Sequence, residues 1–215
     1  MFVPKQFQID ESMALDIVTS NEFATVIDLS SQGGRASHLP LWLLSSTAGG
    51  YKFFGHFARA NPQSETVANG GRVLAIFTGP HGYVSPSWYK DPQANVGTWD
   101  YQAVHVVGNL QDISGDKKLQ LMRQFSEDYE DNWSLQAMPD TKRQQLLTSI
   151  VPFILQVETV TGVSKLSQNR SLSEQSHIAE QFFCNGQPEL ATLINQNVDN
   201  SINKSSHLTG ELPND

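Results

Sequence analysis

FFGHFARANP at residues 53–62 and GPHGYVSPSWY at residues 79–89 are the two most informative segments of this chain. Each begins as, or directly follows, a run of strand-forming residues, and each then turns to Gly, Pro, His or Arg. Strand ends that carry a guanidinium, imidazoles and aromatic rings are places where a sheet protein can hold a flat, anionic ligand. The two segments therefore indicate a β-rich protein with a binding site at its strand ends.

Composition limits the possible functions. The chain has 215 residues, enough to bury a core, and a formal net charge of −8. Strong non-specific binding to DNA is not expected, because affinity for a duplex comes largely from cationic contacts to phosphate. Cys184 is the only cysteine, which excludes an intrachain disulfide and a Cys-based zinc site, and no metal site is predicted. The start of the chain lacks a signal-peptide pattern and no apolar run approaches the roughly 20 residues of a membrane span, so we expect a cytoplasmic protein without a membrane partner.

Strand and helix patterns predict a mainly β fold with peripheral helices. Six segments have strand character, with tight turns at 30–34 and 48–50: residues 23–29, 35–44, 51–57, 72–78, 101–113 and 153–160. The main helices are predicted at residues 116–130, 140–150 and 171–183. Residues 81–88 are expected to be irregular. Six or seven strands joined by tight turns suggest a closed antiparallel barrel.

The C-terminal part of the chain has a different composition. We expect one domain over residues 1–183 and a polar extension over residues 184–215. Pro188 is in a position to open a short helix. From Asn195 onward the chain is rich in Asn and Ser and poor in apolar residues, which predicts a frayed tail.

Candidate binding residues follow from their positions on the predicted strands. His56 and Ala58 fall on one face of the third strand, and Arg59 lies where that strand ends. The Arg59 guanidinium is suited to grip a phosphate, but an Arg paired with a surface carboxylate and a His satisfied at the rim of the barrel explain the same pattern. Trp99 and Tyr101, at the start of the long fifth strand, either face an aromatic heterocycle or plug the end of the barrel.

Several segments, in this order, resemble the PaiB family, whose members are described as FMN-binding negative transcriptional regulators. They are FVPKQF (2–7), SHLPL (37–41), GHFARANPQ (55–63), GPHGYVSPSWY (79–89), TWDYQAVHVVG (98–108) and KLSQNR (165–170). The resemblance runs from residue 2 to about residue 183. It departs from the family at Gly82, where members often have Ala between the His and the Tyr, and at a short insert over residues 93–97.

The resemblance implies a fold, an assembly and a cofactor. The fold is a six-stranded antiparallel split β-barrel of the pyridoxamine-phosphate-oxidase-like group, and the assembly is a homodimer with an FMN pocket at the dimer interface. The cofactor contacts are then expected at His56, Ala58, Arg59, Asn61, Trp99, Tyr101, Lys165, Gln168 and Arg170.

These residues have different expected roles. Arg59 and Asn61 would hold the FMN phosphate, with His56 and Ala58 against the ring, while Trp99 and Tyr101 would form walls of the flavin pocket. The segment that contains Lys165, Gln168 and Arg170 either reaches the pocket, from the same or the partner chain, or is a solvated strand end followed by a helix cap.

Three functions remain open at this point. The resemblance implies an FMN-binding regulator, and the acidic charge favours repression through a protein partner, or through a basic patch that only the folded dimer displays, for contact with DNA. The second is an FMN-dependent oxidoreductase acting on a small molecule, although no catalytic acid–base set is recognisable. The third is a barrel that has lost its flavin and serves as a dimeric interaction module.

Overall fold

The computed structural model of the protein describes residues 1–30, 34–47 and 50–208. Its strands are β1 (Phe23–Asp28), β2 (Ala36–Pro40), β3 (Trp42–Thr47), β4 (Gly50–Ala58), β5 (Arg72–Val84), β6 (Thr98–Asp112) and β7 (Ile150–Lys165). Its helices are α1 (Glu11–Ser20), α2 (Glu65–Ala68), α3 (Gly115–Tyr129), α4 (Asp140–Thr148), α5 (Leu172–Cys184) and α6 (Pro188–Leu208). The turns predicted at residues 30–34 and 48–50 lie partly outside the described residues.

The strands form one sheet in the order β2-β1-β5-β6-β7-β4-β3. Residue-by-residue register is antiparallel for β1 with β2, β1 with β5, β3 with β4 and β4 with β7. The predicted mainly β, antiparallel class is confirmed. Across the described residues the sheet has seven strands in place of the predicted six.

The additional strand comes from a change of partner inside the segment predicted as a single strand at 35–44. β2 pairs with β1, whereas β3 pairs with β4. Between them Leu41 is fully buried, and its backbone N–H donates to the Glu22 carbonyl. Pro40, which cannot donate to a ladder, ends β2 at this point.

The prediction that residues 81–88 are irregular is wrong for their first half, because β5 continues past Gly82. A side chain at Gly82 would have no room: a Cβ there would lie 2.6 Å from Cε1 of Phe182 and 2.8 Å from Cδ1 of Leu190. The chain leaves the strand only at the 3-10 turn Pro86–Trp88. Glycine at residue 82 therefore permits close packing of α5 and α6 on β5.

Helix α6 is much longer than predicted. The sequence indicated a short helix and a frayed tail from Asn195, but one helix runs from Pro188 to Leu208. Leu190 and Ile194 are buried and pack with Phe182 of α5 in one hydrophobic cluster. Apolar residues at helical spacing therefore anchor a segment whose average composition is polar.

Residue contacts divide the chain into two compact units. The first unit comprises Met1–Met13, Thr78–Ala103 and Gly162–Asp215, whose described part ends at residue 208. The second unit comprises Ala14–Phe77 and Val104–Thr161. Within the described ranges, no helix is both long enough and apolar enough to cross a membrane.

The second unit is organised around the pairing of β4 with β7. The register runs antiparallel from Lys52 opposite Gln156 to Ala58 opposite Ile150. Gly55 lies in the middle of this ladder, and a Cβ there would lie 2.8 Å from the Phe153 ring. The absence of a side chain at this position allows the aromatic core to close over β4.

Helix α3 covers one face of this ladder. Leu121, Met122 and Phe125 pack with Phe54 of β4 and Ile154 of β7. The Phe125 and Phe54 rings meet edge to face, with centroids 5.8 Å apart. The spacing of the three helix residues defines the buried stripe of α3.

We predict that Gly82→Ala destabilises the protein by about 1–3 kcal/mol, because the new methyl group forces α5 and α6 away from β5. Urea denaturation followed by circular dichroism measures the change in the free energy of unfolding. Gly34→Ala is the matched control, since a Cβ at Gly34 meets no described atom within 4 Å. Equal stability of the Gly82→Ala variant and the wild type would show that the helices do not pack on this glycine.

Candidate functional site

The end of β4 is fixed to the junction between α4 and β7 by Arg59. The Arg59 backbone N–H donates to the Ser149 carbonyl at 2.8 Å. Its side chain donates from Nε to the Thr148 carbonyl at 2.6 Å and from Nη2 to the Ile150 carbonyl at 3.1 Å. Arg59 is exposed, but these hydrogen bonds fix its guanidinium. The Nη1 group makes no hydrogen bond to the described residues.

A second cation reaches the same junction from helix α3. The Lys118 ammonium donates to the Leu147 carbonyl and, at 3.4 Å, to the Ile150 carbonyl. Partial burial lowers the pKa of Lys118, and the positive charge of Arg59 lowers it further. We call His56, Arg59 and Lys118 the basic cluster.

His56 is the third member of the basic cluster. It lies on β4 opposite Pro152 of β7, is half-buried, and meets the edge of the Phe125 ring at a centroid distance of 6.2 Å. Burial lowers the pKa of His56, and the charge of Lys118 lowers it further. The imidazole is therefore mostly neutral at physiological pH.

No carboxylate of the described residues forms an ion pair with the basic cluster, although Asp112 is close enough to raise the pKa of Lys118. The ion pairs found in the described part of the chain join other residues, and none includes Arg59, Lys118 or His56. Carbonyl oxygens at the end of α4 offset the two cations only in part, because they carry partial charges. Two fixed cations beside a neutral imidazole match the chemistry of a phosphate monoester.

Asn61 is engaged within the turn that follows Arg59. Its Oδ1 accepts from the Gln63 backbone N–H at 2.9 Å, and its Nδ2 donates to the Ser37 hydroxyl at 2.8 Å. Ala58 is exposed, and its carbonyl accepts from the Asn61 backbone N–H. Both residues shape the turn beside the basic cluster.

In the first unit, Lys165 is held by three groups at the start of β6. Its ammonium donates to the Thr98 hydroxyl at 2.9 Å and to the Trp99 carbonyl, and it lies 3.7 Å from Oδ1 of Asp100. The ammonium also lies 5.8 Å from the centre of the Phe7 ring. Lys165 is therefore a fixed cation with a buried carboxylate partner.

Asp100 is a fully buried carboxylate. Its Oδ2 accepts a 2.6 Å hydrogen bond from the Ser167 hydroxyl, while its Oδ1 has no hydrogen bond, only the nearby Lys165 ammonium. Burial raises the pKa of Asp100, and this outweighs the opposing effects of Ser167 and Lys165. Ser167 has φ of 60°, a left-handed conformation that a serine adopts only at some energetic cost.

Gln168 and Arg170 hold the turn that follows β7. The Gln168 amide accepts from the Leu166 backbone N–H at 2.7 Å and donates to the Ser164 carbonyl. The Arg170 guanidinium lies 4.2 Å from the centre of the Tyr89 ring and donates to Oδ1 of Asn95 at 2.8 Å. This contact ties the insert at residues 93–97, which the sequence marked as unusual, to the end of β7.

Trp99 and Tyr101 have different surroundings. Trp99 is 54% exposed, with His81 and Tyr83 of β5 beside it at ring-centroid distances of 6.5 and 6.0 Å. Tyr101 packs against the small hydrophobic cluster around Phe7. Trp99 therefore presents an exposed aromatic face, and Tyr101 has mainly a packing role.

The nine predicted site residues fall into two groups. His56, Ala58, Arg59 and Asn61 belong to the second unit, and Trp99, Tyr101, Lys165, Gln168 and Arg170 belong to the first. Sequence reasoning missed Lys118 and Asp100. Lys118 carries no motif, whereas the alternation along β6, which buries every second residue, was a usable signal for Asp100.

Solved structures establish the class of the fold. A flavocytochrome from Azotobacter vinelandii superposes with a TM-score of 0.56 at 12% identity, covering 76% of this chain and 72% of that chain. A conserved hypothetical protein from Mycobacterium tuberculosis superposes with a TM-score of 0.53 at 10% identity, covering 76% of this chain and 90% of that chain. The protein shares the fold of these structures, a mainly β, antiparallel split barrel, as the resemblance implied, and its described residues form seven strands.

Sequence comparison identifies the family. The family described as "Putative FMN-binding domain" matches residues 1–159, and the chain belongs to it. The chain is also 35% identical over 186 residues to the "Protease synthase and sporulation protein PAI 2" of Bacillus subtilis, which covers 84% of this chain and 88% of that protein. This is an FMN-binding protein of the PaiB type.

The basic cluster fits the phosphate of FMN. Of the five N–H donors of a guanidinium, Arg59 uses two on backbone carbonyls, which leaves donors for an anion. Lys118 supplies a second charge that forms no ion pair with a described carboxylate. A dianionic phosphate would satisfy both requirements.

The raised pKa of Asp100 predicts how the free energy of unfolding depends on pH. Because its pKa is raised on folding, the folded protein binds this proton more tightly than the unfolded chain. The resulting stabilisation is present below the ordinary carboxyl pKa of about 4 and is lost as the pH rises through the raised pKa. The free energy of unfolding of the wild type should therefore fall relative to that of Asp100→Asn over this range.

Urea denaturation of both proteins at a series of pH values measures this difference. Asp131→Asn, a change of an exposed carboxylate, is the control. Parallel pH profiles for the wild type and Asp100→Asn would contradict the assignment.

Proposed function

We propose that this FMN-binding protein is a cytoplasmic homodimer that acts as a negative transcriptional regulator. The resemblance to the PaiB family, whose members are described as negative transcriptional regulators, supports the regulatory part, and the 35% identity to PAI 2 supports the relationship to that family. The observation that carries the binding part is the basic cluster, in which Arg59 and Lys118 are held together without a carboxylate partner.

In the proposed complex, Arg59 binds the FMN phosphate and Asn61 holds the adjoining turn in place. His56 and the backbone at Ala58 lie against the ring system. When bound, FMN supplies one- and two-electron redox chemistry, and the chain supplies binding and orientation.

The remaining predicted contact residues lie in the first unit, and we propose that they reach the flavin bound by a second copy of the chain. The exposed ring of Trp99 is suited to stack on a flat heterocycle. Lys165 is a fixed cation, supported by Asp100. Gln168, Arg170 and Tyr101 are proposed to shape this region, since their side chains already bond or pack within the chain.

We predict that Arg59→Ala weakens FMN binding about 10- to 100-fold, because a charge-assisted contact to the phosphate is lost. Fluorescence titration of FMN measures the dissociation constant. Arg72→Ala is the matched control, because Arg72 is an exposed arginine of the same unit that pairs with Glu158. Unchanged FMN affinity in Arg59→Ala would remove Arg59 from the phosphate site.

The homodimer has its own test. Size-exclusion chromatography with light scattering should give about twice the 23.8 kDa mass of one chain at micromolar concentration. A mass of one chain under these conditions would rule out an FMN pocket shared between two copies.

Repression is tested by DNA binding of the FMN-loaded protein. The protein has a net charge of −8, so direct repression requires a surface on which cations are concentrated. The affinity of the protein for DNA should then fall steeply as the salt concentration rises. Repression through a protein partner instead predicts weak DNA binding by the pure protein at every salt concentration and binding once the partner is added.

An FMN-dependent oxidoreductase is the second candidate. One observation favours it: the lowered pKa of His56 keeps a neutral imidazole, able to accept a proton, inside the proposed flavin site. Oxidation of reduced nicotinamide by the FMN-loaded protein, lost in His56→Phe with FMN still bound, would support it. Absence of turnover with reduced nicotinamides would favour the regulator.

A further inference from the structure

Lys118 lies on the buried face of helix α3. Residues 118, 121, 122 and 125 follow the spacing of one helical face, and the last three are the apolar residues that pack on β4 and β7. Lys118 is half-buried, whereas its neighbour Lys117 is exposed. A lysine on an apolar face is unusual, because partial burial of an ammonium costs free energy.

The surroundings of Lys118 add to this cost. Arg59 lies close enough for its charge to lower the pKa of Lys118, and Lys118 in turn lowers the pKa of His56. Asp112 opposes this effect, but it forms no ion pair with Lys118 in the described chain. The charges of Arg59 and Lys118 therefore repel each other and disfavour protonation of His56, and a bound anion would relieve the repulsion.

Capping of helix α4 explains only part of this arrangement. Basic side chains do bond the last carbonyls of helices, and Lys118 does so at Leu147. However, Arg59 already donates to the Thr148 and Ile150 carbonyls, and the second Lys118 contact, to Ile150, is long at 3.4 Å. Capping of α4 therefore does not by itself explain the positive charge of Lys118.

We propose that Lys118 is the second cation of the FMN phosphate site and makes the site selective for FMN over riboflavin, which lacks the phosphate. This inference rests on the proposed binding of the FMN phosphate at Arg59. Lys118 contributes a point charge from α3, and Arg59 contributes a planar donor from the end of β4. Two elements distant in sequence thereby define one phosphate site.

The test compares FMN and riboflavin as ligands of the full-length protein. Lys118→Ala should weaken FMN binding about tenfold and leave riboflavin binding unchanged, because only FMN carries the anion. Lys117→Ala, which removes the same charge from the same helix, should change neither affinity. Lys118→Arg should retain most of the FMN affinity.

Lys118→Gln separates the proposed role of the Lys118 charge from a purely structural role. Lys118→Gln keeps a donor for the Leu147 carbonyl but removes the charge, so it should behave as Lys118→Ala towards FMN while keeping wild-type thermal stability. Equal weakening of FMN and riboflavin, or unchanged FMN affinity in Lys118→Ala, would overturn the proposal.

The outcomes also separate this inference from the proposed function. Wild-type protein that binds no FMN contradicts the proposed function itself. Wild-type protein that binds FMN, loses affinity in Arg59→Ala and keeps it in Lys118→Ala contradicts only the role of Lys118.

Discussion

The antiparallel ladder between β4 and β7 is the constraint on which the proposed phosphate site depends. It brings Ala58 opposite Ile150, so the residue after β4 lies beside the last turn of α4. Arg59 fixes this junction through three hydrogen bonds to backbone carbonyls. The packing of α3 on the same ladder then sets the place of Lys118. A phosphate site of this kind follows from core packing, because the core determines where both cations lie.

The first unit holds its polar residues by a different means. Asp100 is buried by the alternation of β6 and supports both Lys165 and the strained Ser167. A buried carboxylate is costly unless it is paired, and here the pairing fixes the end of β7. The exposed Trp99 lies next to this rigid group in sequence, which gives the aromatic face a firm support.

Much of this organisation was predictable from the sequence. The segment at residues 53–62 correctly indicated a strand that ends in a polar turn with Arg59, and the alternation of the long strand β6 was recognised. The partner change at Leu41 was not predicted, because it depends on which strands are adjacent in the sheet. The continuation of β5 through Gly82 was missed because glycine usually marks a turn, whereas here it admits Phe182. The length of helix α6 was underestimated because the chain from Asn195 onward is mostly polar.

The candidate site was predictable only where residues adjoin in sequence. Lys118 is 59 positions from Arg59 and becomes visible as a neighbour only when α3 is placed on the sheet.

A crystal structure of the protein with FMN tests the central claim most directly. Phosphate oxygens are expected within about 3 Å of the Arg59 guanidinium and the Lys118 ammonium. A phosphate bound instead by Lys165 or Arg170, with the basic cluster free of ligand, would contradict it.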